Sequence, residues 1–145
     1  KASLVAPISS LIHSVDSIRL YDELSKHAGE KLDVLIQIHI ADEQNKHGFY
    51  PDDLKNILDS GNNLHSSNIK IKGLMGMATF TDDKSQIKNE FNRLKFTFDA
   101  LKALQTENCK LQIISMGMSG DYKLAIEQGS TMIRVGSAIF GRRNK

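Results

Sequence analysis

Apolar residues gather in five short runs along the chain. They are Leu11 to Val15, Val34 to Ile40, Ile71 to Met77, Leu111 to Met116 and Thr131 to Gly136. Several are continuous and rich in Val and Ile rather than alternating, the pattern of strands in a parallel sheet covered by helices. Between them the period changes to that of helices. Asp16 or Ser17 can cap a helix whose apolar face carries Leu20, Tyr21, Leu24 and Ala28, with Gly29 to stop it. After the polar stretch ADEQNKHGFY, Pro51 suits the first turn of a short helix bearing Leu54, Ile57 and Leu58, with Gly61 beyond. Asp83 to Leu104 carries the strongest helical pattern. Ile87, Phe91, Leu94, Phe98 and Leu101 form one stripe, and lysines, Asn89, Glu90 and Arg93 are expected on the other surface. A last helix is expected from Ser119 to Gln128, capped by Ser119, with Asp121 at its positive end, Tyr122, Ala125 and Ile126 on one face and Gly129 ending it.

Strand and helix therefore alternate four times before a final strand, which favours an α/β architecture in one unit. A doubly wound open sheet and the back part of a (β/α)8 barrel both satisfy this order. No Gly-x-Gly-x-x-Gly follows a strand and no Walker loop is present, which weakens the common nucleotide-binding open sheets.

The 19 basic and 17 acidic residues leave a net charge of +2, too weak to argue for a nucleic-acid groove or an anionic membrane surface. No apolar run approaches the roughly 18 residues of a membrane span, and the first residues lack the pattern of a signal peptide, so the cytoplasm is the default compartment. The single cysteine, Cys109, excludes a disulfide framework within the chain and any thiolate zinc cluster. Five strands cut from a barrel would leave two open edges. A missing amino-terminal segment or another chain is then needed to cover them.

Candidate chemistry lies just past the carboxyl ends of the last strands, where ligands bind in parallel α/β folds. In SMGMSGD, a strand, a glycine turn and a helix start can hold a phosphate, with Ser115 or Ser119 adding a hydroxyl; alternatively Ser119 and Asp121 simply cap the helix. In RVGS, Arg134 on a mostly apolar strand needs an acceptor, be it an aromatic nitrogen, a phosphate or a protein carboxylate. Gly136 allows close backbone approach, and the N–H groups of Gly136 and Ser137 can hold a phosphate from the other side. Met75, Met77, Met116 and Met118 either line a pocket for a flat ligand or fill the core. His13 and His39, on neighbouring strands, either share a cavity or sit as satisfied core or rim histidines. His47 and His65 add no compact metal-ligand spacing, and Asp42 and Glu43 read as a solvated loop rather than a metal site. Cys109 lacks an activating partner, and Lys46 reads as solvated.

The segments LIHSVDS, VLIQIHIADEQNKHGF, GLMGMAT and SMGMSGDYKLAIEQGSTMIRVGSAIFGRR together resemble the YggS/PROSC family of pyridoxal 5'-phosphate homeostasis proteins over essentially the whole chain. The resemblance implies a partial (β/α)8 TIM barrel of the alanine-racemase type, strands four to eight, as the carboxyl-terminal portion of a single cofactor-binding domain. It implies pyridoxal 5'-phosphate as cofactor, a role in keeping cofactor and amino-acid pools balanced, and no robust turnover. Family members hold the cofactor on a lysine near the first strand, which has no counterpart among these 145 residues. By the same resemblance Ser115 and Ser119 fall in the phosphate-side loop, Gly136 and Ser137 complete it, and Arg134 matches an arginine that faces the pyridine nitrogen. A racemase-like enzyme on the same barrel and an interaction module with a vestigial phosphate loop are the competing functions.

Overall fold

The computed structural model describes residues 1–43, 47–59, 64, 66–103 and 106–141. Expectations that fall on Lys46, Gly61, His65 and Leu104 lie outside them. The chain opens with a short helix α1 (Ala2–Val5) and a 3-10 turn (Ala6–Ile8) that the strand pattern did not anticipate. Alternation then follows: β1 (Leu11–Val15), α2 (Ile18–His27), β2 (Leu32–Ile38), α3 (Pro51–Asp59), β3 (Ile69–Gly76), α4 (Lys84–Lys102), β4 (Cys109–Met118), α5 (Tyr122–Glu127), β5 (Met132–Arg134) and α6 (Ser137–Phe140). All five strands are parallel and lie in the order β1-β2-β3-β4-β5. This is the curled half-barrel version of the α/β alternatives.

The caps explain several boundaries. Ser17, not Asp16, caps α2 by accepting from the Leu20 N–H; Asp16 instead accepts from the Ser17 hydroxyl. Asp83 caps α4 by accepting from the N–H groups of Ser85 and Gln86. Gly129 ends α5 with φ +92°, a conformation only glycine adopts cheaply, and the Ser130 N–H then bonds back to the Ala125 carbonyl.

The helices cover one face of the sheet. Val34, Ile36 and Ile38 of β2, Ile69, Ile71 and Leu74 of β3, and Leu111, Ile114 and Met116 of β4 form one cluster with Tyr21, Leu24, Phe91, Leu94 and Phe98. Alternate positions such as Leu35, Met75 and Ser115 are buried too, but stand outside that cluster on the concave face. Burial there follows from curvature. The His13 ring nitrogen Nδ1 lies 3.3 Å from the Ser115 hydroxyl, although β1 and β4 are three strands apart. A flat sheet would separate them by about 14 Å, at about 4.8 Å per strand. Gly73 permits part of this bend, since a Cβ there would meet the Ile113 carbonyl oxygen at 1.9 Å.

One expectation on α4 fails. Glu90 is fully buried, not on the solvent surface. Its carboxylate accepts from the Thr79 N–H (2.6 Å), the Thr79 hydroxyl (2.7 Å), the Asp42 N–H (3.1 Å) and the Gln86 amide (3.1 Å). Burial alone would raise its pKa, but these donors, led by Thr79, outweigh it and hold the carboxyl below its ordinary value. The loops after β2 and β3 are thereby tied to α4.

Candidate functional site

The carboxyl ends of β3, β4 and β5 meet around one side chain. Arg134, the last residue of β5, donates from Nη1 to the Ser115 carbonyl (3.0 Å) and the Ser115 hydroxyl (2.6 Å), and from Nη2 to the Gly76 carbonyl (3.0 Å). These acceptors are all neutral. No carboxylate lies within ion-pair distance of Arg134 among the described residues, which removes the structural salt bridge as its explanation. Burial lowers the guanidinium pKa and the charge of Asp121 opposes that shift; an arginine still stays protonated. The half-buried cation therefore faces the concave side with two of its five N–H donors left over from the bonds above.

Ser115 lies elsewhere than a phosphate-loop residue should. It is fully buried in mid-sheet, in register with Met75 and Met132, and its hydroxyl is engaged by Arg134 on one side and His13 on the other. It holds the arginine rather than presenting a free hydroxyl. Burial, and then the charge of Arg134, lower the His13 pKa below its ordinary 6.5.

The loop residues do converge. Gly117, at φ +98°, turns the chain out of the regular strand, and a Cβ there would meet Ala125 at 2.6 Å, so glycine lets α5 close onto the end of β4. The Met118 N–H then donates to Asp121 (2.6 Å). Ser119 does not cap α5, as the sequence suggested. Its hydroxyl crosses to the next loop and accepts from the N–H groups of Gly136 and Ala138, each at 3.2 Å. The oxygen of Ser119 thus sits against the first N–H groups of α6. Gly136 and Ser137 are exposed, and nothing lies within 4 Å of where a Gly136 Cβ would stand. Of the two N–H groups expected there, Gly136 is one; the other engaged is Ala138, not Ser137.

The four methionines separate. Met75 is buried on the concave face beside Ser115, Met77 is half-buried, Met118 is exposed at the rim, and Met116 packs in the helix-covered core. His13 and His39 have different neighbours; the His39 ring tilts against Tyr50 with centroids 5.1 Å apart. Asp42 pairs with Arg93 at 2.5 Å, and no group of three or more potential metal ligands occurs among the described residues. Cys109 begins β4 and is buried, its thiol pushed up to about 11, so it is unreactive. On α5, Ala125 is buried as expected and Leu124 packs beside it against the core, while Ile126 turns out to solvent, so the buried face is shifted by one residue.

Sequence reasoning missed the tie that brings β4 and β5 into line. The Ser130 hydroxyl sits among the carbonyls of Met116 (2.8 Å), Met132 (3.0 Å) and Ile114 (3.3 Å), and the Thr131 hydroxyl accepts from the Ile114 N–H (2.9 Å). The Gly-Ser-Thr run after a helix was the available signal.

Comparison with known proteins identifies the family and the fold. The family described as alanine racemase, N-terminal domain, matches residues 2–144. The chain belongs to that family. Its curated relatives include proteins named pyridoxal phosphate homeostasis protein: that of Haemophilus influenzae is 35% identical over 99% of the chain, and that of Homo sapiens 35% over 97%. The one from Aquifex aeolicus is 35% identical over 92%. The chain spans 61%, 53% and 58% of these relatives' lengths, respectively. Among solved structures, PipY of Synechococcus elongatus superposes with a TM-score of 0.84 without PLP, at 33% identity over 97% of the chain and 66% of PipY. With PLP bound, PipY gives 0.81 at 31% identity, over 97% of the chain and 65% of PipY. The likeness to the YggS/PROSC family drawn from the motifs is borne out. Alanine racemase from Corynebacterium glutamicum, at 14% identity and a TM-score of 0.66, shares the fold. No described helix is long and apolar enough to cross a membrane.

Proposed function

We propose that these residues form the carboxyl-terminal side of a pyridoxal 5'-phosphate site, in a cytoplasmic protein that carries the cofactor for homeostasis without robust turnover. The observation that carries this reading is Arg134: a cation fixed on the concave face by neutral acceptors alone, with donors to spare. Next to it, backbone N–H groups of Gly136 and Ala138 converge on one hydroxyl oxygen, a position suited to a phosphate oxygen. These residues fit the group. Ser119 and the N–H groups of Gly136 and Ala138 hold the phosphate, with the Ser119 hydroxyl yielding its place or sharing it, and the exposed Ser137 between them adds its hydroxyl. Met75 lines the concave floor, and Ser115 serves through Arg134.

Bound pyridoxal phosphate supplies an aldehyde and an electron-withdrawing pyridine ring. A guanidinium has donors and no lone pair, so Arg134 facing the ring nitrogen requires that nitrogen to accept. Arg134 would keep its proton and leave a ring nitrogen placed against it unprotonated, which would weaken the ring as an electron sink. That favours holding the cofactor over amino-acid chemistry. The unpaired edges of β1 and β5 in the described sheet support a further segment of the same protein, or another chain, closing the barrel.

Pyridoxal 5'-phosphate added to the intact protein should bind saturably with a shifted absorption band. Borohydride reduction and mass analysis then locate any covalent link, and an amino-acid turnover assay should read near background. Turnover at enzymatic rates would favour the racemase-like alternative, and no binding would favour the interaction module.

A further inference from the structure

Four strands contribute to the bonding around Arg134, and among the described residues only one member of that network, His13, is itself titratable. The donor count fixes how that partner behaves. Arg134 offers N–H groups only, so the Ser115 oxygen must accept at 2.6 Å. The hydroxyl proton of Ser115 is then free to point elsewhere. The ring nitrogen Nδ1 of His13, at 3.3 Å, is the acceptor in reach. A protonated Nδ1 would instead place two donors on one oxygen beside a cation.

We propose that His13 is a positioning residue that orients Arg134 through the Ser115 hydroxyl, with its imidazole neutral, bare at Nδ1 and protonated at Nε2. Hydrogen bonds then run one way, from Arg134 to Ser115 to His13. Ser115 is buried in mid-strand with little freedom, so fixing its proton fixes the lone pair that receives the guanidinium. A ligand-facing donor on β5 is thereby set from β1, across the hollow of the sheet. His13 itself has only an N–H left to offer, so the pair presents donors alone and suits a ligand whose facing atoms are acceptors. The inference rests on the proposed cofactor site for its purpose, but its geometry does not need the cofactor.

The test uses nitrogen-15 NMR on the intact protein without cofactor, following the His13 ring nitrogens and the exchange of the Arg134 Nη groups. Nδ1 should show the shift of an unprotonated, hydrogen-bonded nitrogen at pH 7. His13→Asn, whose side-chain oxygen stands in for Nδ1, should leave Arg134 exchange near the parent rate. His13→Gln and His13→Ala should raise it about fivefold, the factor matching loss of one neutral hydrogen bond. Equal rates in all three variants, or equal loss in Asn and Gln, would overturn the proposal. So would a proton on Nδ1 in the unaltered protein, a measurement that stands even if a variant fails to fold. Failure of pyridoxal phosphate to bind, with these NMR results as expected, would count against the function and not against the relay.

Discussion

Two charges drawn in from solvent, Glu90 and Arg134, sit about the same rim of the sheet and are treated in opposite ways. Glu90 is fully enclosed, and four donors from Asp42, Thr79 and Gln86 converge on its two oxygens. Enclosed on every side, it presents no open face to a ligand. Arg134 is half-buried, bonds to three neutral acceptor atoms and retains N–H groups toward the hollow. A saturated charge fastens loops, whereas an unsaturated one in a concavity awaits a partner. The contrast teaches that burial of a charge alone does not mark a functional site; the count of unused hydrogen-bonding groups does.

The largest expected effect comes from breaking the saturated side. Glu90→Ala strands the N–H groups of Thr79 and Asp42 and leaves a void, and should cost about 3–5 kcal/mol in urea unfolding. A loss under about 1 kcal/mol would mean the loops after β2 and β3 do not depend on it. Arg134→Met should invert that pattern. Stability should change by no more than about 1 kcal/mol, because a buried cation without a countercharge is replaced by an apolar chain. Affinity for pyridoxal phosphate should fall about tenfold or more, with a changed absorption band, as the charge-assisted bond to the ring nitrogen is lost.

Acid should separate the two charges further. The Glu90 pKa is lowered on folding, so its contribution is fully present above the unfolded carboxylate pKa and is lost as pH falls through the folded value. Stability measured below about pH 4.5 should therefore decline less steeply in Glu90→Gln than in the parent. The smallest effect concerns His13. Its folded pKa is also lowered, so the unfolded chain takes up a proton first and stability slips as pH drops below 6.5. His13→Asn should remove that slight slope in a pH series of melting curves.

Much of the framework could be read from the residues. The five apolar runs gave five strands within a few positions, and the stripe from Ile87 to Leu101 gave α4. What escaped was what depends on register or on distant contacts. Glu90 was grouped with the lysines by its chemistry, although it stands three residues after Ile87 and four before Leu94, within the buried arc. Ser119 reads locally as a helix cap, and only the approach of the β5–α6 loop shows which N–H groups it reaches. Ser115 falls in the phosphate-side loop only by the family likeness, whereas the apolar run Leu111 to Met116 already puts it inside a strand, where β4 has it. Its contact with His13 spans 102 residues and depends on the bend of the whole sheet.

That long-range contact has a further use. Because it is a chord subtending four strands, its length responds to any opening or tightening of the arc, while bonds between adjacent strands barely change. The imidazole of His13 is thus a built-in strain gauge: its resonance would register closure of the barrel without any label being added.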